Sequence, residues 1–406
     1  MAHTTLPGFR DFYPEQFAER AHVMRAWREV ARRYAFMEYD GPPLESLDLY
    51  KAKSGDEIVG QLYNFIDKGG REVALRPEMT PTFARMVAAR ANSLRKPTRW
   101  FSMPQLFRYE RQQKGRLREH YQLNVDIVGE AGTTADAELV ACAIDICREL
   151  GLASRDVVVR VSDRRVLQGY LSALGIAESA FDSVFVVVDK LARQPREVSA
   201  EKLASSGLNT DQIAAVVDIE NATLDTVALA MKATSAAGLE HVEELRDFFN
   251  YIGVLVPDGA SWVRFDLSIV RGLAYYTGIV FELFDRSGEF RAICGGGRYD
   301  NLLEAVGGPA LPALGFGMGD VVLTELLRSR RLLPVTATSV DYWLTADDDV
   351  PVSRVMSEAA ALREQGYSVE YALRRQSGSK QRKAAMVAGA RHIIHITNST
   401  AADTHV

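Results

Sequence analysis

The sequence predicts an α+β protein in three parts, and three observations carry that prediction. Short strand-like segments bounded by polar, glycine-containing turns recur at 58–75, 107–130 and 262–284, as a sheet built from hairpins requires. Between the last two, residues 164–255 become alanine-rich with helical periodicity. From about residue 335 the pattern changes to β-α-β-α-β, a small α/β unit with parallel strands. A chain of 406 residues also exceeds one ordinary core, since domains run to about 150 residues.

Near the start, Gly8-Phe9-Arg10-Asp11 and Tyr13-Pro14 read as an ordered turn, with Pro14 opening a helix and Glu15 favouring its N-terminus. Phe17, Ala21, Met24, Trp27, Ala31 and Tyr34 then recur on one helical face, and the chain stops at Gly41-Pro42-Pro43. A hairpin follows, with strands at 61–66 and 73–75 about a turn at 67–70. In Leu75-Arg76-Pro77-Glu78-Met79-Thr80, Thr80 is expected to cap the next helix, and Glu78 stands ready for either the helix terminus or a ligand ammonium.

The stretch 107–130 is the most informative. It holds Arg108, Arg111, Lys114, Arg116 and Arg118, with a turn predicted at 112–116. The returning strand places Gln122, Asn124 and Asp126 on one face of an otherwise apolar segment. Two strands and a cationic loop would make a floor for a small charged ligand, with the loop reaching towards phosphates. Thr133 and Asp136 read as a capping box for a helix to Leu150, and a strand is expected at 157–161. After the helical block, strands are expected at 262–267 and 279–284, separated by the glycine-bounded loop 270–278. Residues 295–300 (Gly-Gly-Gly-Arg-Tyr-Asp) read as a turn into a helix, and 314–319 as a segment small enough to pack backbone closely. In the C-terminal part, strands are expected at 341–344, 369–373 and 392–397, with helices at 354–365 and 380–388 and Gly366 as a helix-ending glycine.

Composition narrows the function. Hydrophobic residues at 47% and charged residues at 25% are ordinary for a globular protein. No apolar run approaches the roughly 20 residues of a membrane span, and no secretory signal is evident, so a cytoplasmic protein without membrane attachment is expected. Cys142, Cys147 and Cys294 form no CxxC pair and read as buried apolar side chains in a reducing compartment. No metal-ligand cluster is expected. A net charge of −5 leaves room for local basic patches, of which there are two: the 108–118 loop, and Arg374, Arg375, Lys380, Arg382, Lys383 and Arg391. Neither G-x-G-x-x-G nor G-x-x-x-x-G-K-[ST] occurs, so Rossmann and P-loop nucleotide sites are not expected.

Phe107-Arg108-Tyr109-Glu110-Arg111, Lys114-Gly115-Arg116 and His120-Tyr121-Gln122 resemble the second signature motif of class II histidyl-tRNA synthetases. The Leu-Arg-Pro-Glu-x-Thr segment at 75–80 is similar to that family's histidine-binding segment, and Arg271-Gly272-Leu273-Ala274-Tyr275-Tyr276 to its second such loop. The resemblance implies an antiparallel catalytic sheet flanked by helices at 1–163 and 256–332, a helical insertion at 164–255, and a small α/β anticodon-binding-type domain at 335–406. It implies catalytic roles for Arg271 and Arg108, both on ATP, with Glu110 and Arg116 as further nucleotide contacts. Histidine would be held by Glu78, Thr80, Gln122, Asp126, Tyr275, Tyr276 and Tyr299. Contacts to tRNA(His) would come from Gln113, Lys114, Arg116, Arg374, Arg375, Lys380 and Arg382. ATP as substrate, Mg²⁺ and a homodimer complete the implied set.

The chain departs from the family pattern in four ways. Ala274 replaces a usual aspartate, and Gln112 a common proline. Residues 319–323 (Gly-Asp-Val-Val-Leu) lack the arginine that ends the third class II motif. The C-terminal domain is also a helix and a strand shorter than expected. The missing arginine favours an alternative, the non-catalytic, histidine-sensing regulatory subunit of ATP phosphoribosyltransferase. Retention of Arg108, Arg271 and a C-terminal α/β domain favours the ligase. A synthetase-like RNA-binding module of a signalling protein is the third class.

Overall fold

The computed structural model describes residues 4–54, 56–109, 115, 117–232, 234–271, 276–334 and 340–398. The chain divides into two compact units, Met1–Leu333 and Pro334–Val406.

The strands in chain order are β1 (Met37–Glu38), β2 (Leu44–Ser46), β3 (Asn64–Ile66), β4 (Glu72–Leu75), β5 (Thr98–Ser102), β6 (Gln105–Phe107), β7 (Glu119–Val128) and β8 (Val157–Asp163). They continue as β9 (Val263–Phe265), β10 (Ile279–Asp285), β11 (Cys294–Arg298), β12 (Ala313–Gly319), β13 (Tyr342–Ala346), β14 (Val369–Tyr371) and β15 (His392–Ile396). The main sheet of the first unit runs β1-β5-β7-β12-β11-β10-β8-β9, with β6 also pairing β7. Its pairings are antiparallel except β1 with β5 and β8 with β9. The predicted hairpins at β3–β4 and β6–β7 both form. At the first, Asp67 accepts from the backbone N–H of Gly69 and Arg71, and Gly70 takes φ +79°, which glycine tolerates without cost.

One face of this sheet is apolar. Leu123, Val125 and Ile127 of β7, Phe316 and Met318 of β12, and Phe281 and Leu283 of β10 share a buried cluster with the helix Thr133–Glu149. The helix Pro14–Arg33 begins with Pro14 in its first turn, as expected, and buries Val23, Ala26, Trp27, Val30 and Ala31. Its apolar stripe starts later than the sequence suggests, because Phe17 is half exposed under the Arg20 guanidinium.

Three local expectations are corrected. Thr80 is the first residue of the helix Thr80–Arg90, whose N-cap is Met79 without a side-chain cap bond. Asp136 does not cap its helix; it is buried and ion-paired with Arg298 of β11, which also donates to the carbonyls of Glu130 and Gly132. Burial nevertheless pushes the Asp136 carboxyl up to about 6, against the pull of Arg298. Residues 295–298 are not a turn but lie within β11, inside the sheet.

Residues 164–262 hold no strand among those described. Helices at Arg164–Ala173, Phe181–Val188, Arg196–Ser205, Thr210–Val217, Leu224–Met231 and Ala236–Leu255 follow one another. Asn209 with Gln212 and Thr223 with Thr226 form reciprocal capping boxes, which explains two of the helix starts. Phe185, Leu245 and Phe248 belong to the same buried cluster as the sheet's apolar face, so this block shares the core instead of building its own.

In the second unit, β14-β13-β15 form a parallel sheet with the helix Val352–Glu364 packed on Leu344, Val369 and Ile394. Gly366 follows that helix at φ +91°, the left-handed ending expected of it.

The N-terminal turn is fixed by charge. Arg10 binds Glu119 of β7 at 2.6 Å and Asp320 at 2.9 Å, and both carboxylates are almost fully buried. Asp320 in turn accepts from the Tyr121 N–H at 2.9 Å. Burial raises the Asp320 carboxyl pKa while Arg10 opposes the rise. Arg10→Met strands both acids and is expected to cost about 3–5 kcal/mol in urea unfolding near neutral pH. Without Arg10 the folded-state pKa of Asp320 climbs further above its unfolded value. Protonation then favours the folded form, and the deficit is expected to shrink as pH falls. A deficit that grows on acidification would contradict this account.

Candidate active site

The opposite face of the sheet is built around missing side chains. Gln122, Asn124 and Asp126 point to this face from β7, opposite Gly319, Gly317 and Gly315 of β12. Beyond them, Gly317 and Gly315 face Gly295 and Gly297 of β11, and Gly295 faces Glu282 of β10. Side chains from neighbouring segments lie across these glycines. A Cβ on Gly317 would sit 2.8 Å from the Gln122 Cδ, and one on Gly297 would sit 3.0 Å from the Tyr276 ring. A Cβ on Gly315 would come to 2.7 Å from both the Tyr299 hydroxyl and the Val125 carbonyl, and one on Gly295 would overlap the Arg271 guanidinium.

At one end of this face the Tyr299 hydroxyl donates to Asp126, with both residues buried. Burial raises the pKa of the Tyr276 phenol; Arg271 opposes the rise and Glu78 adds to it, which places both charges near the ring. At the other end, Arg108 donates from Nε to the Pro77 carbonyl at 3.0 Å, tying the returning hairpin to the segment that carries Glu78. Arg76, next to that segment, is structural: it is buried, with bonds to Asp40, the Gly41 carbonyl and the Gln105 carbonyl.

Arg271 has φ +40°, a left-handed conformation that costs a non-glycine residue on the order of 1–3 kcal/mol. Its Nε lies 3.6 Å from Glu282, and its guanidinium 5.8 Å from the centre of the Tyr276 ring. Burial pushes the Glu282 carboxyl up, and Arg271 is the strongest influence holding it down. Arg108, Arg271, Gln122, Glu282 and Gly317 line a cleft of about 360 Å³. It shares Arg271, Glu282 and Val322 with an adjoining cleft of about 650 Å³.

The sequence-predicted residues distribute as follows. Arg108, Gln122 and Arg271 meet in the smaller cleft, Asp126 and Tyr299 bond to each other, and Tyr276 lies between Arg271 and Gly297. Glu78 precedes the helix that Thr80 opens. Glu110, Gln113, Lys114, Arg116 and Tyr275 lie outside the described residues. Arg374, Arg375, Lys380 and Arg382 are all exposed on the second unit. Glu282 and the glycine floor escape the sequence reading. The usable signal was the alternation of glycine at 315, 317 and 319, a period of two that marks strands.

A sheet floored with glycine, with arginines at one end and a buried acid–tyrosine pair at the other, has the architecture of a class II aminoacyl-tRNA synthetase core. The family model described as histidyl-tRNA synthetase matches residues 8–320. A histidine–tRNA ligase of Opitutus terrae is 43% identical over 392 residues, covering 95% of this chain and 89% of that protein. The chloroplastic/mitochondrial histidine–tRNA ligase of Arabidopsis thaliana is 41% identical, covering 90% and 74% respectively. Among solved structures, histidyl-tRNA synthetase from Nostoc sp. PCC 7120 superposes with a TM-score of 0.84 at 25% identity, covering 98% of this chain and 92% of that one. The chain belongs to the histidyl-tRNA synthetase family.

The glycine floor makes a differential prediction. Gly315→Ala meets backbone as well as the Asp126–Tyr299 pair and is expected to cost about 1–3 kcal/mol. The nearest atoms to a Gly295→Ala methyl are the movable end of the Arg271 side chain, and this variant is expected to stay within about 1 kcal/mol of the parent. Urea unfolding of the two variants checks the contrast, and equal costs would refute it.

Proposed function

We propose that this chain is a histidine–tRNA ligase, which activates histidine with ATP to histidyl-adenylate and transfers it to the 3′ end of tRNA(His). The observation that carries the reading is the single sheet face on which Arg108 and Arg271 sit at one end and Asp126 with Tyr299 at the other. Relatives named as ligases at 43% and 41% identity support it over the histidine-sensing regulatory subunit.

In the first step a histidine carboxylate oxygen bonds to the α-phosphorus of ATP, the bond to the bridging oxygen breaks, and pyrophosphate leaves. Negative charge builds on the α-phosphoryl group, and Arg108 and Arg271 stabilise it from fixed positions. The bare Gly295 leaves the space that the Arg271 guanidinium occupies against the sheet. Glu78, Thr80 and Gln122 hold the α-ammonium, with Tyr275 as a further histidine contact. The imidazole lies towards Asp126, Tyr299 and Tyr276, where an acid accepts from one ring nitrogen and a phenol serves the other. Such a pocket rejects side chains that leave its buried polar groups unpaired, by factors reaching about 10⁴–10⁵. In the second step the terminal ribose hydroxyl of tRNA attacks the activated carbonyl and AMP leaves. Gln113, Lys114 and Arg116 approach the acceptor end, with Glu110 on the nucleotide, and Arg374, Arg375, Lys380 and Arg382 contact the anticodon side.

Mg²⁺ accompanies ATP, held mainly through phosphates and water. Asp189 and Glu282 are carboxylates lining the same cleft, and no cluster of three metal-ligating side chains occurs among the described residues. We also propose a cytoplasmic homodimer. Its support is the exposed Phe17 and Met37, on the first helix and the edge strand β1, which a second copy would cover. Among the described residues no helix is long and apolar enough to cross a membrane.

The purified protein is expected to catalyse ATP–pyrophosphate exchange with histidine and with no other protein amino acid. Arg271→Ala is expected to lower that exchange by about 10²–10³-fold with the fold intact by circular dichroism. Histidine binding by calorimetry without any exchange in the parent protein would overturn the ligase reading in favour of the regulatory one.

A further inference from the structure

The smaller cleft is unevenly charged. Among the described residues Arg108, Arg193, Arg271 and Arg291 line it against Asp189 and Glu282, a formal excess of two positive charges. The adjoining cleft balances its four arginines with four carboxylates. Excess charge in a confined cleft selects a polyanion and concentrates it there. Arg108 belongs only to the smaller cleft, whereas Arg193, Arg271 and Arg291 reach both. Arg193 therefore borders both the space that Arg108 and Arg271 share and the cleft that adjoins it.

Arg193 comes from a different part of the chain than the other cations. It ends the single turn Leu191–Arg193, which follows the helix Phe181–Val188 of the helical block. That helix is anchored by Phe181, Val184, Phe185, Val187 and Val188, all buried in the shared core, so the turn has a fixed base. The Arg193 side chain is exposed at the cleft wall, and its charge is felt by Glu282 on β10. At this place the start of the helix Asp320–Ser329 contributes the apolar Val321 and Val322, whereas Arg193 contributes a cation.

We propose that Arg193 is a nucleotide-binding residue that holds the outer phosphates of ATP, giving the helical block a direct part in substrate binding. This rests on the reading of the smaller cleft as the ATP site and adds to it a residue from a segment that carries no motif. A guanidinium suits the task because its forked donors match phosphate oxygens and its charge does not titrate.

The test is calorimetric binding of ATP, ADP and AMP, with Mg²⁺, to the full-length protein and to Arg193→Ala and Arg193→Lys. Arg193→Ala is expected to weaken ATP roughly tenfold or more and AMP less than twofold, because only ATP carries the outer phosphates. Arg193→Lys is expected to recover part of the loss, and histidine binding is expected to stay unchanged in both variants. In pyrophosphate exchange the KM for ATP should rise while the KM for histidine does not. Equal weakening of ATP and AMP would mean a structural role and overturn the proposal, as would no change in either. A parent protein that binds no adenine nucleotide would instead overturn the reading of the cleft itself. A parent that binds ATP in an Arg193-dependent way but exchanges no pyrophosphate would leave the proposal standing and remove the ligase activity.

Discussion

A continuous sheet has to bring backbones within hydrogen-bonding distance, and every residue with a Cβ then raises a wall above its own position. The candidate catalytic face here needs the reverse: side chains from neighbouring positions must occupy the space directly above the strands. The sequence resolves the conflict with glycine at alternate positions of β12 and a run of three in β11, where the register sets Gly295 against Gly317 and Gly297 against Gly315. Arg271, Tyr276, Tyr299 and Gln122 occupy the space these residues leave. The cost is backbone entropy in two central strands, about 0.5–1 kcal/mol per glycine. The apolar reverse face offsets it, since Phe316, Met318, Phe281 and Leu283 are each nearly or fully buried.

That division between faces explains what could be read from the sequence. Hairpins and helices whose two faces differ in polarity announced themselves by period, so β3–β4, β6–β7 and the β-α-β-α-β of the second unit emerged close to their observed bounds. Gln122 and Asp126 stood out as polar residues in an otherwise apolar strand, whereas Arg108 and Arg271 were marked by the resemblance to the synthetase motifs. The strand β11 was not. Glycine is the strongest local signal for a turn, and three in a row outweighed the possibility that tertiary space demanded them. Asp136 failed for a related reason. Its position fits a capping box, but the pairing that decides its role is with Arg298, more than 160 residues away in the chain. Local patterns show what a residue can do with its neighbours in sequence and nothing of what the fold brings opposite.

The helical block gives the same lesson at larger scale. Its periodicity was plain, yet no motif connected it to the site. The structure supplies that connection through packing: Phe185, Leu245 and Phe248 share one apolar cluster with the sheet, so the turn after Phe181–Val188 has a defined place beside the cleft. Asp189 and Arg193 then line the same space as Arg108 although no shared local pattern links them.

The two ends of the catalytic face differ in how they are held, and the difference suits their tasks. Asp126 and Tyr299 are almost inaccessible and bonded to each other, and they fill the space that Gly315 leaves. A site that must distinguish one side chain from its isosteres depends on such rigidity, because its discrimination comes from polar groups that cannot find other partners. At the other end the arginine side chains are only partly buried or exposed, and Arg271 is placed by a strained backbone and a loose 3.6 Å approach to Glu282. Charges that must follow a phosphate chain from substrate through transition state to leaving group gain from long side chains on fixed bases. On the proposed reading, recognition falls to the packed end of the face and charge stabilisation to the adaptable one, and the glycine floor is the surface on which the two meet.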